Sequence, residues 1–110
     1  MAYSDVPKTG DMSHGAELFA KGDNGAPACT TCHRTDSVNG TGPGLGGIAD
    51  RAGTRIDGLS AREYLFQSIT EPGKFIVSGF TNQMYGEYSQ KYKPQDIADL
   101  IAYLMSGQLK

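Results

Sequence analysis

The only two cysteines of the chain stand three positions apart, and a histidine follows the second directly: Cys29-Thr30-Thr31-Cys32-His33. This C-x-x-C-H run constrains the fold more than any other stretch, because it ties the chain to a rigid object. On a tight helical turn, two thiols at this spacing reach the two vinyl groups along one edge of a porphyrin and form thioethers. The next residue then projects over the ring plane, where its imidazole binds iron. Other uses of the pair fit less well. A thioredoxin-like redox pair needs a strand-then-helix context, and residues 29–33 have none. A structural zinc site needs four ligands. Beyond His33 the sequence offers one distant histidine, His14, and no further cysteine. Cys29 and Cys32 are therefore read as the attachment points of one haem c, and His33 as a ligand of its iron.

The rest of the composition agrees. Leu, Ile, Val and Phe together supply only 20 of 110 residues, whereas glycine and proline supply 15 and 5. Nine of the glycines fall between residues 22 and 60. A structureless stretch of that length is unusual in a small domain. So few large aliphatic side chains fill a core poorly unless a staple or an apolar cofactor occupies its centre. A haem with loops wrapped around it resolves both difficulties.

Three short helices are legible between the loops. Residues 1–10 are polar, with a proline and a glycine, and read as a flexible lead-in to a domain spanning 11–110. From Met12 to Lys21, Leu18 and Phe19 with small Gly15, Ala16 and Ala20 suit a helix capped by Asp11 or Ser13. Ser60 and Glu63 have capping-box spacing and start a second helix at Ala61 that stops near Thr70, before Pro72. Pro94 suits the first turn of a third. There Ile97, Leu100, Ile101 and Leu104 follow the i, i+3, i+4, i+7 rule up to Gly107. Nothing alternates with period two over the length of a strand. The expected class is all-α, with a helical turn after Cys29. Two motif matches carry nothing. Gly42 to Gly47 matches G-x-G-x-x-G, but no strand precedes it. Asn39-Gly40-Thr41 matches a glycosylation acceptor and reads better as a turn.

These motifs, in this order, resemble class I single-haem cytochromes c over nearly the whole chain. The likeness rests on a first helix with Gly15 and Phe19, then C-x-x-C-H, then Gly42-Pro43-Gly44-Leu45. A late-loop methionine, Met84, and the helix Asp96 to Leu104 complete it. The closest likeness is to bacterial cytochromes c and to the cytochrome c domains of respiratory complexes. One departure stands out: Tyr85 follows the methionine where the family often has proline. The resemblance implies a class I cytochrome c fold and a second axial ligand. Met12, Met84, Met105, His14 and the lysines are the candidates. Thioether sulfur suits a low-spin haem iron. Met12 and His14 lie at the first helix and Met105 at the end of the last, two helices that the family packs together. Met84 lies 51 residues beyond His33, in a polar loop where a buried methionine has little else to pack on. Met84 is the expected ligand, with His14 next. The resemblance further implies that the Pro43 carbonyl receives the other ring N–H of His33. Arg51 and Arg55 lie in the loop that passes the haem propionates, and one of them is expected to pair there. Tyr64 or Asn82 is a weaker candidate to reach the methionine sulfur.

With both axial positions filled by protein, a haem exchanges electrons and leaves no open site for a substrate. The implied function is single-electron transfer between respiratory or photosynthetic redox partners. A quinol-oxidising complex would be the donor, and a terminal oxidase or reaction centre the acceptor. No catalytic acid, base or nucleophile stands out, so the chain is not expected to be an enzyme. The alternative is a haem sensor or peroxidase-like domain with a labile sixth ligand, and Tyr85 is the feature that favours it. Ten basic and twelve acidic residues, net charge -2, leave no electrostatic footprint for nucleic acid. No stretch approaches the roughly 20 apolar residues of a membrane span. Haem attachment to C-x-x-C-H outside the bacterial cytoplasm, which the resemblance implies, points to a periplasmic or externally facing protein. Its signal or anchor would then be absent from this chain.

Overall fold

In a computed structural model of residues 1–110, the Asp11 carboxylate accepts hydrogen bonds from the backbone N–H groups of Ser13, at 2.9 Å, and His14, at 3.2 Å. Two of the donors that a helix start leaves orphaned are satisfied in this way. They open α1, Met12–Lys21, which buries Gly15, Leu18 and Phe19 on one face. A single turn, α2, follows at Ile48–Arg51. The Ser60 hydroxyl and Glu63 carboxylate each accept the other residue's backbone N–H at 3.1 Å and start α3, Ala61–Thr70. Another single turn, α4, spans Tyr88–Lys91. Pro94 occupies the first turn of α5, Pro94–Leu104, whose start is closed by Asp96 accepting from the Lys93 N–H at 2.9 Å. Short 3-10 turns lie at Tyr3–Asp5, Cys29–Thr31, Ala52–Thr54 and Pro72–Lys74. There is no strand, and one isolated bridge pairs Asp23 with Ala26.

The all-α class and the three principal helices are those expected from the sequence. The last helix stops at Leu104, short of Gly107. There the Ser106 hydroxyl donates to the Tyr103 carbonyl at 2.6 Å, and a turn with Gly107 at φ 81° leads to buried Leu109. The Leu109 carbonyl then accepts the Gly47 N–H at 2.8 Å, pinning the chain end onto the loop before α2.

Crossing of α1 over α5 frames the domain. Ile97, Leu100 and Ile101 of α5 and Phe19 of α1 are its most deeply buried large side chains. Phe19 also meets Tyr103, with ring centroids 5.4 Å apart. Gly15 makes the close approach necessary: a Cβ there would overlap the Asp99 carbonyl oxygen. Residues 1–10, read as a flexible lead-in, lie against the domain. Val6 is buried, Tyr3 packs edge-on against Phe66 at 5.5 Å, and Arg62 donates to the Pro7 carbonyl at 3.0 Å.

The two long loops are held by their own polar groups. Between residues 33 and 47, the Gly42 N–H bonds the Cys32 carbonyl at 2.9 Å, and Leu45 N–H bonds the Arg34 carbonyl at 3.0 Å. The Asn39 side chain accepts the Gly44 N–H at 3.0 Å. The later loop is tied across the molecule by the Tyr88 hydroxyl, which donates to the Pro27 carbonyl at 2.7 Å. Tyr85 packs edge-on against Tyr88, which meets Tyr92 at a tilt.

Candidate functional site

The folded 33–47 loop lays residues 42 and 43 against the imidazole of His33. A Cβ on Gly42 would lie 2.6 Å from Cε1 of that ring, so only glycine allows the backbone to pass this close. Its neighbour Pro43 presents its carbonyl to Nδ1 of His33 at 2.8 Å. That carbonyl can only accept, so Nδ1 carries the proton and Nε2 keeps a free lone pair for a metal.

His33 lines an open, mainly apolar cavity enclosing about 1100 Å³ of empty space, part of it open to solvent. Small-molecule and cofactor sites have this character, apolar walls with a few placed polar groups. Cys29, Cys32 and Met84 line the same cavity. The structure thus brings all four expected site residues together. Met84 is the one methionine of four that does so. Met12 is largely exposed, and Met105 packs on the core elsewhere. His14 lies away from the cavity, with Nδ1 bonded to Asp99 at 2.7 Å. Cys29 opens the 3-10 turn Cys29–Thr31, and Cys32 caps it.

Several wall residues carry no motif. α3 contributes Tyr64, Leu65, Ser68 and Ile69, while Phe19, Leu100 and Leu104 come from the helix crossing. Phe75, Ile76, Val77 and Phe80 line the cavity from a stretch outside the helices expected from the sequence. The run Phe75-Ile76-Val77, apolar and in no helix, is the signal that reveals them. Tyr64 and Asn82, candidates to reach the methionine sulfur, line the same cavity as Met84.

A family model described as Cytochrome c matches residues 12–108. The chain belongs to the cytochrome c family. A cytochrome c carries a covalently attached haem c with iron, and haem-based electron transfer with redox partners follows from that membership. Independent features of the cavity fit the group. Its walls are apolar, as a porphyrin face requires. One end is polar, where Arg51 and Arg55 meet Ser37, Asn39 and Ser78 in an adjoining cleft. The Arg51 guanidinium is already engaged, with the carbonyls of Gly46 and of Gly44 at 2.7 Å. Nε of Arg55 is buried without a hydrogen-bond partner. A buried orphan donor on a cation calls for an anionic acceptor, and the carboxylate of a haem propionate supplies one. Between the two arginines, Arg55 is the one with donor capacity to give, and Arg51 braces the Gly44–Gly46 loop. No helix is long and apolar enough to cross a membrane.

Proposed function

We propose that this cytochrome c is a one-electron carrier whose haem is attached through Cys29 and Cys32 and held between His33 and Met84. The observation that carries the reading is the single cavity lined by both a tautomer-fixed His33 and the one suitably placed methionine. Bound haem supplies an iron that cycles between ferric and ferrous states by one electron. The chain does the rest. Pro43 fixes the imidazole tautomer and aims Nε2. Met84 offers a soft thioether, which raises the potential relative to a second imidazole. The apolar walls from α3, α5 and residues 75–80 exclude water and favour the less charged ferrous state. Arg55 neutralises a propionate. Tyr85, in the position where the family often carries proline, packs edge-on against Tyr88 at 4.9 Å. That packing ties the residue after Met84 to the loop anchor, which supports a stable sixth ligand over a labile one and hence a carrier over a sensor or peroxidase. The protein would act on the periplasmic or outer side of a membrane. It would take electrons from a quinol-oxidising complex and pass them to a terminal oxidase or reaction centre through small, transient interfaces.

Met84→Ala tests the assignment. The ferric wild-type protein should show the weak long-wavelength absorption of sulfur-bound haem iron. The variant should lose it, bind added small ligands and fall in potential, while Met12→Ala and Met105→Ala should match wild type. Retention of the native spectrum and potential by Met84→Ala would overturn the assignment. Rapid, complete carbon monoxide binding by wild-type ferrous protein would overturn the carrier reading.

A further inference from the structure

Away from the haem cavity, the α1–α5 crossing holds a charged group that the electron-transfer reading does not use. The Asp99 side chain is only 5% exposed. It accepts three hydrogen bonds: from the Asp11 N–H at 2.7 Å, from Nε2 of Gln95 at 2.9 Å and from Nδ1 of His14 at 2.7 Å. Two of these donors come from the start of α1, so one buried carboxylate staples α1 to α5. His14 is the one titratable donor among the three, and its side chain is 38% exposed, which leaves its proton free to exchange with solvent.

We propose that His14 and Asp99 form a pH-sensitive clamp across the α1–α5 crossing, tight when His14 is an imidazolium and weakened when it is neutral. The charged groups that face His14 all have the same sign. From α5 come Asp99 and Asp96, the latter 3.9 Å from Nδ1, and from α1 comes Glu17, while the Asp11 carboxylate bonds the His14 backbone N–H. The Asp99 hydrogen bond, above all, holds the His14 pKa above its ordinary 6.5, against a smaller opposing effect of burial. Burial works against ionised Asp99, yet its bonds from Asp11, Gln95 and His14 outweigh this and hold its pKa below 3.8. The signs then set the window. A raised histidine pKa gives stability that is complete below pH 6.5 and is lost as pH rises through the folded-state value. A lowered carboxylate pKa gives stability present above 3.8 and lost only in stronger acid. The crossing is therefore held tightest between pH 3.8 and 6.5 and loosens as pH rises through the folded-state value of His14. His14 is one of two histidines. On the proposed function the other, His33, is bound to iron, so the inference rests on that reading in treating His14 as the only histidine that changes charge near neutrality.

Two measurements on holoprotein test the clamp. The His14 ring is titrated by NMR in the ferrous protein, for wild type and for Asp96→Asn, which alters the field at His14 without touching the buried carboxylate. Thermal unfolding of ferric wild type and His14→Gln is followed from pH 5 to pH 9. His14 should titrate above 6.5 in wild type and closer to it in Asp96→Asn. The melting-temperature advantage of wild type over His14→Gln should be largest near pH 6 and shrink as pH rises. A wild-type His14 pKa at or below 6.5, or an advantage constant across the range, would overturn the proposal. Failure of the haem reading has a different signature: an altered visible spectrum, read independently of the His14 titration.

Discussion

Replacing Gly15 with alanine sets two effects against each other on α1. In an exposed helix interior the exchange gains about 1 kcal/mol of helix propensity. At this position the new Cβ would overlap the Asp99 carbonyl oxygen, lie 2.6 Å from the carbonyl carbon and sit 3.0 Å from Cβ of Tyr103. Carbon pairs prefer about 3.5–4.0 Å. The obstacle is backbone, so no rotamer change relieves it, and α1 and α5 must separate by about 1 Å. A gap of that size forfeits roughly a quarter to a half of each dispersion contact across it. The contacts at stake are those of Phe19, Ile97, Leu100 and Ile101, the most deeply buried large side chains. Overpacking of this kind costs roughly 1–3 kcal/mol, and a backbone obstacle places it at the upper end. Set against the propensity gain, the net loss is about 2 kcal/mol. At roughly 4 °C per kcal/mol for a domain of this size, the melting temperature of the ferric holoprotein should fall by about 8 °C. Far-UV circular dichroism at fixed pH reads this directly. Gly53→Ala is the control: its nearest neighbour would be Ala61 Cβ at 3.8 Å, an ordinary contact, and it should melt with wild type. An unchanged or raised melting temperature for Gly15→Ala would refute the close approach and with it the account of the frame.

Gly42→Ala should disturb the iron site through the imidazole, because its Cβ would lie 2.6 Å from Cε1 and 2.9 Å from Nδ1 of His33. The expected result is a lower yield of haem-loaded protein and a ferric spectrum with added high-spin character; a native spectrum at native yield would count against it. Arg55→Gln removes the cation facing the polar end of the cavity. The reduction potential should fall, since a positive charge near the iron favours the ferrous state, and it should vary more with pH around neutrality as a propionate loses its partner. A potential unmoved at every pH would assign Arg55 a purely structural place.

The sequence by itself carried the chemistry and the helices. Cys29, Cys32 and His33 fall within five residues, so the attachment proposed for them rests on local geometry alone. The starts of α1, α3 and α5 are written in Asp11, Ser60 with Glu63, and Pro94, each acting within one turn of itself. The place of Met84 at the cavity was legible because a thioether in a polar loop has few other uses. What stayed hidden depends on which distant segments meet. Phe75, Ile76, Val77 and Phe80 become cavity wall only when the later loop folds over α3. Arg51 and Arg55 look alike in sequence, yet one is satisfied by the Gly44 and Gly46 carbonyls and the other keeps a buried orphan donor. His14 stands in sequence only as a second candidate for the iron until α5 brings Asp99 to it across 85 positions. Nearest-neighbour chemistry fixes caps, turns and the attachment motif, because its partners are covalently close. Satisfaction of a buried charge or an apolar face is decided by the tertiary fold, because a side chain's environment is set by whichever remote groups are packed against it.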